Sequence, residues 1–280
     1  MPLMNLVGES ADVQFDEQHC RELGASLHEQ YASAEPFPHI VMDDFVSSDF
    51  LRPLIGNYPS RDGKSHFDRD QERLKYQYGP WEVADPALRN LLIQLNSRAF
   101  VKFLEKLSGI KGLIPDPHYS GGGLHETLPG GHLSVHADFN VHGVLKLERR
   151  LNFLLYLNDD WDPDFGGQLE LWDREMRACQ SRIDPVLGRA VVFNTSLDSF
   201  HGHPDPLKCP EGRSRRSIAT YYYTAPEDGI AALPKRTTVF KARSQTGDKK
   251  DWKVGVDHFV NDWVPFRLQG LARKVTRRLF

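Results

Sequence analysis

The stretch His132-Leu-Ser-Val-His-Ala-Asp-Phe-Asn140 decides how this chain is to be understood. Its alternation predicts a β-strand, in which residues i and i+2 face the same way. His136 and Asp138 therefore project side by side. An imidazole and a carboxylate on one face make two thirds of a two-histidine, one-carboxylate set, the ligand set of non-haem Fe(II). His-x-Asp alone occurs often by chance. It gains meaning only if a second histidine and an anion-binding group return to the same place.

Around this strand the texture is β. From residue 113 onward, segments are short, rich in β-branched and aromatic residues, and punctuated by Gly, Pro and Asp. Candidate strands lie near 117–120, 123–128, 132–138, 150–157, 167–172, 181–184, 189–194, 199–203 and 213–223. Many short strands at this spacing predict a sandwich or closed barrel rather than a βαβ sheet.

Upstream the pattern is mostly helical. Cys20, Leu23, Leu27 and Tyr31 predict an amphipathic helix over 16–34, ended by Pro36-Phe-Pro38,. His39 to Phe45 predicts a strand, and Ser47 or Ser48 can cap a helix to Gly56-Asn57,. Residues 61–78 are charged and aromatic with little periodicity, which predicts a solvated loop or, as the functional alternative, a mobile lid,. Asp85-Pro86 starts a helix. Its stripe of Leu88, Leu92, Leu95, Ala99, Phe103 and Leu107 predicts one long helix, or two in series, ending at Gly109,. The expected class is α+β with a mainly β core, a jelly roll covered by N-terminal helices. Residues 1–112 would cover the core, 113–226 would form it, and 227–280 would be a C-terminal extension. That extension turns helical from Val264, with Leu268, Leu271 and Val275 on one face and Arg267, Arg273, Lys274, Arg277 and Arg278 elsewhere. A terminal basic helix over 264–280 would either dock on the domain or rest weakly on an anionic membrane surface.

Composition excludes several classes. With 40% hydrophobic residues, the 280-residue chain can bury a sizeable core,. A net charge of −3 gives no global case for nucleic acid,. Cys20, Cys179 and Cys209 are odd in number and form no C-x-x-C, which argues against a disulfide framework or a cysteine zinc site,. The first ten residues lack the basic start and apolar run of a signal peptide,. No segment approaches the ~18 apolar residues of a membrane span. The expectation is a cytoplasmic protein.

The second histidine has two candidates, in Phe200-His-Gly-His-Pro204. His201 and His203 share a face if the segment is extended, so spacing does not choose between them. Pro204 restricts His203 and mildly favours His201,. Downstream, Arg215, Ser217, Ala219 and Tyr221 alternate with Arg216, Ile218, Thr220 and Tyr222. The first set is small near its arginine and leaves room for a pocket. A buried Arg beside a metal predicts a dicarboxylate co-substrate, since the planar guanidinium matches a carboxylate with two prongs. Arg213 and Arg216 are expected in surface ion pairs. The glycine pairs at 130–131 and 166–167 are expected in turns, since no helix start follows them,.

His136-Ala-Asp138, His201 and Arg215-Arg-Ser217 together resemble the Fe(II)- and 2-oxoglutarate-dependent dioxygenases, in particular their prolyl-4-hydroxylase-like branch. Arg150-Leu-Asn-Phe-Leu-Leu-Tyr-Leu-Asn158, Gly166-Gly-Gln-Leu-Glu-Leu-Trp172 and Ser199-Phe-His-Gly-His-Pro204 extend the likeness. It covers roughly 115–225 and continues more weakly through 36–45. The resemblance implies a double-stranded β-helix with His136, Asp138 and His201 as iron ligands. It implies Arg215 and Tyr156 on the distal carboxylate of 2-oxoglutarate, with Asn152 as a further pocket residue. The implied cofactors are Fe(II), 2-oxoglutarate and O2, with ascorbate as a candidate stimulant. The implied reaction hydroxylates an unactivated C–H and releases succinate and CO2. Related halogenases have a small residue where Asp138 stands, so hydroxylation is expected. The substrate would be a small molecule or peptide, and the likeness does not make it a proline. Alternatives are a non-catalytic jelly-roll module that binds metal or ligand, or a peptidyl-prolyl hydroxylase proper. A cupin-type isomerase fits less well, because it would not require Arg215. His125, His132 and Tyr119 are candidates for the substrate side, with structural roles expected for each.

Overall fold

The computed structural model describes residues 1–249 except 9, 62–64, 228–235 and 245. A short hairpin of β1 (Leu6–Val7) and β2 (Gln14–Phe15) leads into α1 (Glu17–Ala32). Asp16 starts α1 by accepting from the His19 amide at 2.7 Å,. Then come β3 (His39–Met42), α2 (Ser48–Ile55), and a hairpin of β4 (Ser65–Arg69) and β5 (Glu72–Tyr78). The stripe from Leu88 to Leu107 forms two helices in series, α3 (Pro86–Leu95) and α4 (Arg98–Ser108). Ser97 interrupts it and caps α4, and Gly109 ends α4 in the left-handed region at φ 74°,. The strands that follow are β6 (Ile114–Pro115), β7 (Gly123–Ala137), β8 (Glu148–Tyr156), β9 (Leu169–Trp172), β10 (Cys179–Ile183), β11 (Ala190–Asn194), β12 (His201–His203), β13 (Arg215–Thr224) and β14 (Val239–Phe240).

The larger sheet runs β10-β9-β12-β7-β13-β8-β11-β3, with every pairing antiparallel. It winds into a nearly closed jelly roll. Its organiser is β7. The N-terminal half of β7 pairs with β13, and its C-terminal half pairs with β12 and β14. A single strand thereby carries the chain from one layer to the other. Gly130, at φ 77°, lies where it turns. The helices cover one outer face. Leu88, Leu92, Phe100 and Phe103 are fully buried there against Phe45, Phe153 and Tyr222. Burying each such side chain contributes about 1.5–3 kcal/mol, which makes this layer the main apolar adhesive. The barrel interior has its own smaller cluster, including Tyr156, Leu169, Leu171 and Phe193.

Three expectations change. The strand expected near 117–120 is a turn. The Asp116 carboxylate accepts from the amides of His118 at 2.8 Å and Ser120 at 2.6 Å, and Tyr119 sits at φ 48°. An Asx-type turn outcompetes extension there. Residues 65–78, within the stretch expected as a loop, form the β4–β5 hairpin, and β5 pairs with β7 over Leu124–Leu133. Arg216 is not in a surface pair. It bonds Glu126, which is 1% exposed, and lies 4.5 Å over the ring of Tyr58. The expected helix over 264–280 lies outside the described residues. Among the described residues, no helix is long and apolar enough to cross a membrane.

Candidate metal centre

Register sets the site. β12 lies against β7 so that His201 stands directly opposite His136. Their rings are 4.5 Å apart between centroids. Asp138 follows just beyond the end of β7. Its Oδ1 lies 3.5 Å from His136 Nε2, and its Oδ2 lies 3.5 Å from His201 Nε2. One donor atom from each of the three falls within 4.8 Å of the others. Among the described residues, this is the group of His, Cys, Asp and Glu able to hold a metal ion.

The surroundings prepare these atoms. His136 Nδ1 donates to Ser134 O at 2.9 Å, and His201 Nδ1 donates to Ser199 O at 3.0 Å. A carbonyl can only accept, so Nδ1 carries a proton in each ring and Nε2 is the atom left to face inward,. Burial, then the neighbouring His136, lowers the His201 imidazole to about 4, so it is neutral near pH 7,. Burial alone would raise the Asp138 carboxyl, but Arg149 and the two imidazoles hold it well below the usual range. The donor set is thus two imidazoles and one carboxylate, suited to a divalent first-row metal,.

Asp138 is itself oriented. Its Oδ2 accepts from Asn152 Nδ2 at 2.8 Å and forms an ion pair with Arg149 Nη2 at 3.0 Å. Arg149 also donates to Asn152 Oδ1, and its guanidinium lies 3.5 Å from the centroid of Tyr221 and 4.6 Å from that of Phe139. Asn152, expected as a further pocket residue, lines the cavity onto which the donors open and bonds both the carboxylate and its arginine. Arg149 was not anticipated from the sequence. Strand alternation puts Arg150, not Arg149, on the face of Asn152. A register shift in the β8–β13 ladder brings Arg149 inward,.

The three donors open on a cavity of about 230 Å³. Arg215, 6% exposed, enters the same cavity from β13. Its Nε donates to Gly167 O at 2.7 Å, and its Nη2 donates to the Tyr156 hydroxyl at 3.3 Å. Ser217, also lining the cavity, pairs in register with Tyr156. Lys75 and Glu72 reach in from the hairpin, paired at 2.8 Å. The other sequence candidates are placed as follows. His203 lines the cavity opposite Leu133 but stands outside the three-donor group. Among the described residues, its Nδ1 has no hydrogen-bond partner. His125 Nε2 bonds Gly121 O, His132 Nε2 bonds Asp70 O, and the Tyr119 hydroxyl donates to Leu92 O at 2.7 Å.

Gly202, between the two histidines, is a close-approach position. A Cβ there would lie 2.8 Å from Leu133 O and 2.9 Å from Ser134 O. Gly202→Ala is expected to push β12 off β7 and lower Mn(II) affinity about tenfold, measured by calorimetric titration. Gly143→Ala, whose Cβ meets nothing within 4 Å, serves as the control and should bind as the wild type does.

Comparison with known proteins follows this geometry. Residues 122–223 match the model of the 2OG-Fe(II) oxygenase superfamily. Prolyl 3-hydroxylase OGFOD1 of Mus musculus is 32% identical over 207 residues, covering 70% of this chain and 34% of that protein. The chain thus spans about a third of that relative's length. A Trichoplax adhaerens prolyl hydroxylase, solved with a hypoxia inducible factor peptide fragment, superposes with a TM-score of 0.53 at 17% identity, covering 78% of this chain and 96% of that one. A Pseudomonas putida prolyl-4-hydroxylase gives 0.49 at 20% identity over 72% and 99%. Residues 122–223, the segment that carries His136, Asp138, His201 and Arg215, belong to the 2OG-Fe(II) oxygenase superfamily.

Proposed function

We propose that this chain is an Fe(II)- and 2-oxoglutarate-dependent dioxygenase that hydroxylates an unactivated C–H and releases succinate and CO2. One observation carries the reading. The three donors and the buried Arg215, backed by Tyr156, meet in a single cavity. When bound, Fe(II) and 2-oxoglutarate supply the oxidative chemistry that side chains lack: O2 is reduced, the 2-oxo acid is cleaved, and one oxygen passes to the substrate.

The chain's own residues bind, orient and exclude water. His136, Asp138 and His201 would hold the metal and leave positions for co-substrate and O2. With Oδ2 engaged by Asn152 and Arg149, Asp138 has Oδ1 to offer as its ligand atom. Arg215 would grip the distal carboxylate, and the Tyr156 hydroxyl would be a second donor beside it,. Leu154, Leu169 and Phe193 give the cavity dry walls. Ascorbate would stimulate by keeping the iron reduced. Residues 113–226 would be the catalytic core, with β3 and β5 entering its sheet from the 1–112 cover. The free cysteines fit a cytoplasmic location. The substrate would be a small molecule or a peptide. The mouse relative's name makes a peptidyl proline the second substrate reading.

Purified protein given Fe(II), 2-oxoglutarate and O2 should form succinate slowly without substrate, and a compound panel should show a product 16 mass units heavier. Arg215→Met should weaken 2-oxoglutarate binding about 30-fold, the worth of a charge-assisted bond, with metal affinity unchanged. Absence of both succinate and 2-oxoglutarate binding would overturn the reading.

A further inference from the structure

We propose that the substrate presents an oxyanion, docked by Arg150 and Arg174 beside Arg149 in a second cavity. This rests on the metal and co-substrate reading, because it assigns the side from which substrate reaches that centre. The second cavity, about 380 Å³, adjoins the first and shares Asp138, Phe139 and Arg149 with it. It does not include Arg215, so it lies apart from the co-substrate's anchor. Strand ends build it: residues 138–140 after β7, 148–150 opening β8, 194–197 closing β11, and Arg174 between β9 and β10. A substrate seated there would meet the metal past Asp138.

The charge of this cavity is out of balance. Three arginines line it, against Glu148 and Asp138. Arg149 is neutralised by Asp138, but a dication bound to that carboxylate takes over its charge and leaves the guanidinium in excess,. Arg150 meets Glu148 only at 4.0 Å, and its hydrogen bond goes to the neutral Thr224 hydroxyl at 3.3 Å. Arg174 pairs with Asp198 at 3.2 Å but is 56% exposed, so that pair is held weakly,. The Thr195 hydroxyl, on the same wall, is buried without a hydrogen-bond partner among the described residues. Such an atom calls for an acceptor or donor that the protein does not supply. A planar guanidinium pair plus a hydroxyl suits a phosphate, sulfate or carboxylate group. Leu197, 42% exposed, offers apolar surface for the remainder of the molecule.

The test titrates inorganic phosphate, sulfate and acetate into protein loaded with Mn(II) and 2-oxoglutarate. At least one anion should bind the wild type, and the tightest names the oxyanion class. Arg150→Gln/Arg174→Gln should weaken it about tenfold or more. The Arg150→Lys/Arg174→Lys pair should recover part of the affinity, since a point charge remains. Unchanged 2-oxoglutarate affinity in both double variants shows that they fold. The proposal falls if no anion binds the wild type, or if the Gln variant binds as tightly. Failure of the underlying reading looks different. There, 2-oxoglutarate does not bind the Mn(II)-loaded wild type, while the same anion comparison on metal-free protein still decides the arginine site.

Discussion

Replacing His201 with alanine is expected to lower Fe(II) or Mn(II) affinity more than about 100-fold and 2-oxoglutarate-dependent succinate formation by about 1000-fold, whereas His203→Ala should leave metal affinity within about threefold. The two histidines look alike by ordinary criteria. Both are buried, both line the cavity, and burial lowers both imidazoles. Placement separates them. His201 faces His136 across the ladder and falls in the three-donor group. Its Nδ1 is fixed on Ser199 O, which aims Nε2. His203 has no such bond on Nδ1, and after burial the next influences on its ring are the cations Arg215 and Lys75. A ring flanked by cations is a poor place for a dication. Calorimetric titration of metal into each variant decides it, with thermal melting to confirm folding. Retention of metal by His201→Ala with loss by His203→Ala would move the ligand role to His203.

How much of this was legible in the sequence depends on where the strand period holds. His136 and Asp138 were readable because i and i+2 alternation runs cleanly to the end of β7. Arg215, Ser217 and Tyr221 were readable for the same reason on β13, and all three line the cavity. Alternation fails at irregularities, and those are where residues were missed. In β5 the buried positions are Glu72, Lys75 and Tyr78, three apart, because Leu74 sits at φ 50° where the pairing with β7 shifts. A three-residue spacing of charged residues looks like a loop, though it is a bulged strand facing a polar cavity. The shift in β8 hid Arg149 in the same manner. The choice between His201 and His203 was open because i and i+2 of β12 face the same way, and both rings line the cavity,. Local chemistry decides elsewhere: Asp116 turns a β-rich segment into a turn, and Ser97 splits one apolar stripe into two helices.

Arg149→Leu is expected to destabilise the metal-free protein by about 3 kcal/mol, and metal should restore most of the loss. The guanidinium is the counter-charge of Asp138, whose side chain is 10% exposed while that of Arg149 is 1% exposed. Leucine can fill some of the space between Phe139 and Tyr221, so lost apolar contact is the smaller part of the change. The larger part is a buried carboxylate that loses its guanidinium and keeps only Asn152 and the two imidazoles beside it. For a chain of this size, about 3 kcal/mol lowers Tm by roughly 6–12 °C. The pH dependence has a definite sign. In the wild type the Asp138 carboxyl is held low, so its contribution is present above the unfolded value near ~3.9 and is lost as pH falls through the lower folded value,. Without the guanidinium, burial raises the carboxyl instead, and protonation relieves the variant. The Tm gap between variant and wild type should therefore be widest near neutral pH and should narrow toward pH ~4. A dication on Asp138 supplies the missing counter-charge, so added Mn(II) should raise Tm more in the variant than in the wild type. If the gap is instead constant with pH and indifferent to metal, then Arg149 acts through stacking on Tyr221 and Phe139, and its ion pair with Asp138 contributes little.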